Sequence, residues 1–226
     1  MISTEQVSHH LCYTITMPRI ERVDIGGEIY HVINRANARV RIFDADKDYK
    51  QFESILEEAV DKFDMRLLAY NIMPNHFHLI LYPKHDGDLS KFMGWLSNTH
   101  TRRWHTNKGT IGQGHLYQGR YKSFLCQKDS HLLALFRYVE RNATRAKLVQ
   151  KAENWKWSSV WRREFGTSEQ KKMLSAWPIE IPKSYLKYIN EAQTIEELSA
   201  IRTSVNKNIP FGANMWVGKM VDKFKL

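Results

Sequence analysis

Met73-Pro-Asn-His-Phe-His-Leu-Ile-Leu-Tyr82 is the stretch on which the reading of this chain turns. Leu-Ile-Leu with flanking aromatics is strand material, and side chains alternate faces along a strand. His76 and His78, two positions apart, therefore point to the same side. Two neighbouring imidazoles are half of a divalent-metal site. A His-x-His pair alone is weakly specific, since strand histidines more often pack or face solvent. Partners must come from elsewhere in the chain.

The flanking segments supply the frame. Residues 28–34 read as a strand. Over 46–63, Phe52, Ile55, Leu56, Ala59, Val60 and Phe63 recur at helical spacing and give an amphipathic helix. Residues 66–72 are a strand that the Pro74-Asn75 step turns into a hairpin with the histidine strand. A second helix over 89–104 buries Leu89, Phe92, Met93 and Leu96. The glycine-rich loop after it lacks the Gly-Lys-Ser/Thr ending of a nucleotide-binding P-loop. A fourth strand over 121–127 leads through the capping pair Asp129-Ser130 into a third helix running to about residue 146. The order βαββαβα predicts an α+β, ferredoxin-like fold: a four-stranded antiparallel sheet covered by helices on one face.

Composition narrows the function. The 226 residues are 42% hydrophobic, 12% aromatic and 26% charged, as in a soluble globular chain with one full domain and an appendage. No apolar run approaches the roughly 18 residues of a membrane span. The first sixteen residues lack a signal-peptide layout, and the only cysteines are Cys12 and Cys126. A reducing cytoplasm is the expected location, with no cysteine framework for a metal. The net charge of +10 and pI near 9.5 are unevenly placed. Acidic residues crowd 44–64, whereas Arg35, Arg39 and Arg41, then Arg102, Arg103 and Lys108, then Arg120 and Lys122, then Arg137, Arg141 and Arg145 form basic clusters. Such polarity suits a protein that presents one face to a polyanion. Trp104, Tyr117 and Tyr121, beside these clusters, are candidates for stacking on unpaired bases.

The third helix offers the missing partners. Leu132, Leu135, Phe136 and Val139 make its inward stripe, and Tyr138 and Asn142 sit at i and i+4 beside it. Arg137, Arg141 and Arg145 repeat at the same spacing as a basic ridge.

Taken together, these residues resemble a known family. Pro74-Asn-His-Phe-His78 is similar to the histidine signature of HUH endonucleases, and Tyr138–Asn142 to the tyrosine helix of single-tyrosine (Y1) transposases. The chain most resembles the REP-associated tyrosine transposases, relatives of the IS200/IS605 enzymes. Tyr30-His-Val-Ile-Asn-Arg35, Gly119-Arg-Tyr-Lys122, Trp155-Lys-Trp-Ser-Ser159 and Ile209-Pro-Phe-Gly212 also fit. Where IS200-type enzymes commonly carry glutamine as third metal ligand, this chain has Asn142. Ala143 stands where REP-associated relatives often have proline.

The resemblance implies a metal-dependent single-stranded DNA endonuclease and strand transferase. Tyr138 would be the nucleophile, with His76, His78 and Asn142 holding Mg²⁺ or Mn²⁺. Arg35, Arg102, Arg103, Arg120, Lys122, Arg137 and Arg141 would contact DNA at REP-type hairpins, in a monomer or homodimer. It divides the chain into an N-terminal extension (1–16), a catalytic domain (17–160) and a mostly helical C-terminal extension (161–226). In that extension a capping-box pattern at Thr194 opens one helix, and residues 214–224 form another. Two other classes share these features: a replication or mobilisation initiator of the HUH group, and a non-catalytic nucleic-acid-binding module. The absence of a helicase segment and of a second paired tyrosine argues against the initiator.

Overall fold

The computed structural model describes residues 22–226, so the expected extension over 1–16 lies outside the described residues. Four strands, β1 (Ile29–Arg35), β2 (Arg66–Met73), β3 (His76–Tyr82) and β4 (Lys122–Cys126), form one antiparallel sheet in the order β2-β3-β1-β4. This is the ferredoxin-like plan that the element order predicts, with β1 and β3 at its centre. Helix α1 (Asp46–Phe63) connects β1 to β2, α2 (Asp88–Lys108) connects β3 to β4, and α3 (Ser130–Glu140) follows β4. The sequence stops α2 at 104; it runs one turn further, to Gly109 at φ 64°, a left-handed position that suits glycine.

Helices cover both faces of the sheet, where the element order alone predicts cover on one. Val32, Ile72, Phe77, Leu79 and Leu81 pack with Phe52, Ile55 and Leu56 of α1 and Phe92, Met93 and Leu96 of α2. The opposite face carries Ile29, Ala69, Ile80 and Phe124 against Leu132, Leu135, Phe136 and Val139 of α3. The reason lies in β3, whose Leu79-Ile80-Leu81 is apolar on both sides and so needs burial on both.

The third helix also differs from its pattern, which predicts continuity to about residue 146. The chain leaves α3 at Glu140, Arg141 takes φ −80° and ψ 4°, and a separate turn, α4 (Asn142–Arg145), begins. Those angles belong to the sparsely populated bridge between helix and strand, so the helix axis is interrupted between Tyr138 and Asn142.

Beyond it come α5 (Ser159–Phe165), α6 (Ser168–Lys171), α7 (Tyr185–Asn190), α8 (Ile195–Lys207) and α9 (Asn214–Phe224). Thr194 caps α8 in the expected box with Glu197. These elements pack on both cores: Ile201 and Phe211 join the α3 side, while Trp216, Met220 and Phe224 lie on the α1–α2 side. Among the described residues, no helix is long and apolar enough to cross a membrane.

Two polar cross-links tie α3 to this later part of the chain. The fully buried Glu140 carboxylate accepts from Ser159 Oγ (2.8 Å) and from the Tyr185 hydroxyl, while its backbone carbonyl accepts from Asn71 Nδ2 (3.2 Å). Burial raises the pKa of this carboxyl, and its two donors oppose that rise. One turn earlier, Arg137 pairs with Glu197 (2.6 Å) and lies over the Tyr188 ring (4.5 Å). Replacing Glu140 by alanine leaves Ser159 and Tyr185 facing a cavity, and should cost about 3 kcal/mol in urea unfolding. E140Q, which keeps the shape, should cost less; an E140A protein within ~0.5 kcal/mol of the parent contradicts this account.

Candidate active site

Pairing of β1 with β3 sets Ile33 opposite His78 and Arg35 opposite His76. By alternation, His31, Ile33 and Arg35 share a face with both histidines, and α3 covers that face. Tyr138 meets the rings edge-on from α3. Its centroid lies 6.0 Å from that of His78 and 6.2 Å from that of His31, at interplanar angles of 84° and 82°. His31 stacks on His78 at 5.0 Å, with His31 Nε2 2.8 Å from His78 Nδ1. His76 stands edge-to-face with His78, also at 5.0 Å. Three imidazoles and one phenol thus share one cluster.

Burial is uneven across the cluster. His31 and His78 are buried, and His76 is half-buried. Burial lowers the His76 pKa to about 3, and the cationic Arg35 and Arg145 push the same way. Burial alone takes His31 to about 3. His78 falls well below the ordinary histidine range through burial first, then through His31, His76, Arg145 and Arg35. All three rings are neutral at physiological pH, the state in which an imidazole can ligate a metal.

Hydrogen bonds also fix where the lone pairs sit. Asn75 Nδ2 donates to the Arg39 carbonyl (3.0 Å), which turns Asn75 Oδ1 towards His76 Nδ1 at 2.6 Å. An amide oxygen only accepts, so His76 carries its proton on Nδ1 and presents a bare Nε2. In the His31–His78 pair a single proton lies between the two rings. When His78 Nδ1 donates it, His78 Nε2 is free in the same way.

Asn142 opens the turn after the Arg141 break, and its amide nitrogen is buried with no hydrogen-bond partner. That nitrogen is a proton donor, so a cation would be held by Asn142 through Oδ1, alongside two neutral imidazoles that suit a divalent ion with an affinity for nitrogen. Arg145, three residues on, donates from Nη1 to the Tyr138 carbonyl (2.9 Å) and stacks over the Tyr138 ring (4.3 Å).

Most of the basic residues singled out by sequence lie away from the histidines. Arg35 does reach the site, beside His76. Arg141 stands at the α3–α4 break, its pKa lowered by burial and by Arg137. Arg137 is buried and paired to Glu197, so it links helices rather than facing outward. Arg103 forms a two-bond pair with Glu58 of α1 (2.6 and 2.8 Å), and Arg102 lines a hollow of about 540 Å³ with Trp95 and Thr99. Both belong to α2, across the sheet from the histidines. Arg120 and Lys122 line a cavity of about 380 Å³ along β4, together with Lys207.

Nor do the aromatics stand free for stacking. Trp104 bonds the Ile42 carbonyl, Tyr117 is buried against His100, and Tyr121 lies under Arg22. Sequence reasoning missed His31, Asn75 and Arg145 as parts of the site. Strand alternation could have found His31, because antiparallel pairing puts it on the face of His78.

The chain is similar to known proteins. Residues 27–142, just over half of the chain, match the family model described as transposase IS200-like. A Haemophilus influenzae protein described as a REP-associated tyrosine transposase is 23% identical over 124 residues, covering 51% of this chain and 70% of that one. The solved structure of a REP-associated tyrosine transposase bound to a REP hairpin shares the fold, with a TM-score of 0.56 and 15% identity over 79% of this chain and 93% of that one. A crystal structure from Deinococcus radiodurans, described as a transposase, aligns with 54% of this chain and 85% of its own at 22% identity, with a TM-score of 0.38. With the family match running from Gly27 to Asn142, through the whole sheet, the histidine pair and Tyr138, the chain belongs to the IS200-like transposase family.

Proposed function

We propose that this protein cuts and rejoins single-stranded DNA beside hairpins, through a 5′-phosphotyrosine link at Tyr138. The observation that carries the reading is the Tyr138 ring held edge-on, 6.0 Å from a neutral, buried His78. The net charge of +10 supports a polyanionic substrate, and the fold relative bound to a REP hairpin supports hairpin DNA.

The chemistry follows from what a phenol lacks. An ordinary phenol is ionised to only about one part in a thousand at neutral pH, so attack on phosphorus needs help. Tyr138 Oη would form a bond to phosphorus as the bond to the 3′ oxygen breaks. The phenol loses one proton and the 3′ oxygen gains one, so the exchange balances without ATP and runs back for rejoining. A divalent cation, Mg²⁺ or Mn²⁺, held by His76, His78 and Asn142, would supply charge neutralisation at a non-bridging phosphate oxygen. His76 contributes by staying neutral with Nε2 bare, a tautomer that Asn75 holds, and His78 would do the same with its Nδ1 proton donated to His31. Arg35, beside His76, adds positive charge where the phosphate enters.

A labelled single-stranded oligonucleotide with Mn²⁺, run on a denaturing SDS gel, should give a covalent adduct that Tyr138→Phe abolishes. An adduct that survives the substitution moves the nucleophile elsewhere. No adduct under any metal leaves a non-catalytic DNA-binding module as the better reading. The ligand set carries no negative charge, so calorimetry should show weak Mg²⁺ binding by the free protein and tighter binding once DNA is present. A Kd on the order of 1 µM for Mg²⁺ without DNA contradicts that account. Asn75→Ala frees His76 to adopt the other tautomer, and Mn²⁺ affinity measured by electron paramagnetic resonance should drop about ten- to a hundredfold. Unchanged affinity would show that the tautomer is set by something else.

A further inference from the structure

Arg145 carries a charge that no carboxylate among the described residues neutralises. The charged or ionisable groups acting on it are Tyr138, Arg202 and Arg141, and removal from water is the largest influence on it. Its Nη1 donates to the Tyr138 carbonyl, and its guanidinium lies 4.3 Å above the Tyr138 ring. It also bears electrostatically on His76 and His78, so it belongs to the same cluster. The guanidinium lies over the face of the phenol, whereas Oη projects from its edge. A partly buried cation among other cations is costly unless an anion joins it.

One reading is that Arg145 merely caps α3, since basic side chains often bind the last carbonyls of a helix. That role needs one N–H of the five that a guanidinium carries, and it needs no charge. It also leaves unexplained why the guanidinium lies along the nucleophile's ring instead of extending into solvent. A planar fork with unused donors, fixed beside Tyr138 in a carboxylate-free setting, matches the geometry of a phosphodiester.

We propose that Arg145 is a further catalytic residue, whose guanidinium receives the non-bridging oxygens of the DNA phosphate at Tyr138. The proposal rests on the reading of Tyr138 as nucleophile. No proton moves through Arg145: it stays charged and offsets the charge on the phosphate while the Tyr138–phosphorus bond forms and the bond to the 3′ oxygen breaks. Because it does not depend on the cation, it holds the phosphate before any metal binds.

The test uses the full chain, R145Q and R145K. R145Q keeps a donor for the Tyr138 carbonyl and removes the charge. Binding of a fluorescent single-stranded oligonucleotide in EDTA, followed by anisotropy across salt concentrations, should lose about one unit of salt slope in R145Q and none in R145K. With Mn²⁺, the rate of adduct formation should fall about a hundredfold in R145Q, with R145K between the two. R145Q with parental salt slope and parental adduct rate overturns the proposal. A parent protein that forms no adduct, alongside a reduced slope in R145Q, keeps the phosphate contact and removes the nucleophile reading instead. Should R145Q fail to fold, the Arg145 Nε–H resonance of the parent, assigned by its loss in R145K, decides. It should shift when the oligonucleotide is added in EDTA, and a resonance that stays in place overturns the proposal.

Discussion

The pairing of β1 with β3 fixes which residues can meet at the site. Alternation along each strand allows two faces, and the register of Arg35 with His76 and Ile33 with His78 decides what lies beside what. A slip of one residue would turn His76 and His78 into the α1–α2 core and bring Phe77 and Leu79 to Tyr138. Such a slip is blocked because both faces of β3 are packed. Phe77, Leu79 and Leu81 fill one core and Ile80 the other. The hydrophobic effect, acting on residues that touch no ligand, thereby holds the histidine pair in register.

The same burial sets the charge state of the site. Desolvation disfavours imidazolium, so His31, His76 and His78 remain neutral, and the fixed positive charge comes from arginines. Metal-binding centres more often rely on carboxylates to attract a cation. This cluster has none, and among the described residues no group of three acidic, cysteine or histidine side chains could hold a metal by itself. In the proposed reaction the phosphate anion would come first, and the cation would enter through what that anion contributes.

Much of this was legible in the sequence, and the exceptions have physical causes. Helix α1 ends where its apolar periodicity does, because a surface helix is specified locally by its stripe. The ferredoxin-like order followed from the alternation of strands and helices. Cover on both faces was signalled by Leu79-Ile80-Leu81, but a short apolar run does not say which later helix will bury it. The break at Arg141 had no marker, since neither glycine nor proline stands there; a side chain four residues on compensates for it by bonding the Tyr138 carbonyl. The basic residues were the least legible. Charge is visible in sequence, but whether Arg137 or Arg103 faces DNA or a glutamate depends on contacts with Glu197 and Glu58, 60 and 45 positions away.

The cross-links at the end of α3 also set an order in time. Tyr138 and both histidines lie in the first two thirds of the chain, yet the helix that carries Tyr138 is held by Ser159, Tyr185, Tyr188 and Glu197. Synthesis runs from the N-terminus, so the ribosome makes the proposed cutting group well before the residues that orient it. A chain halted before Ser159 carries the proposed nucleophile without the contacts that orient its helix. The proposed nicking activity therefore waits on residues as far along the chain as Glu197.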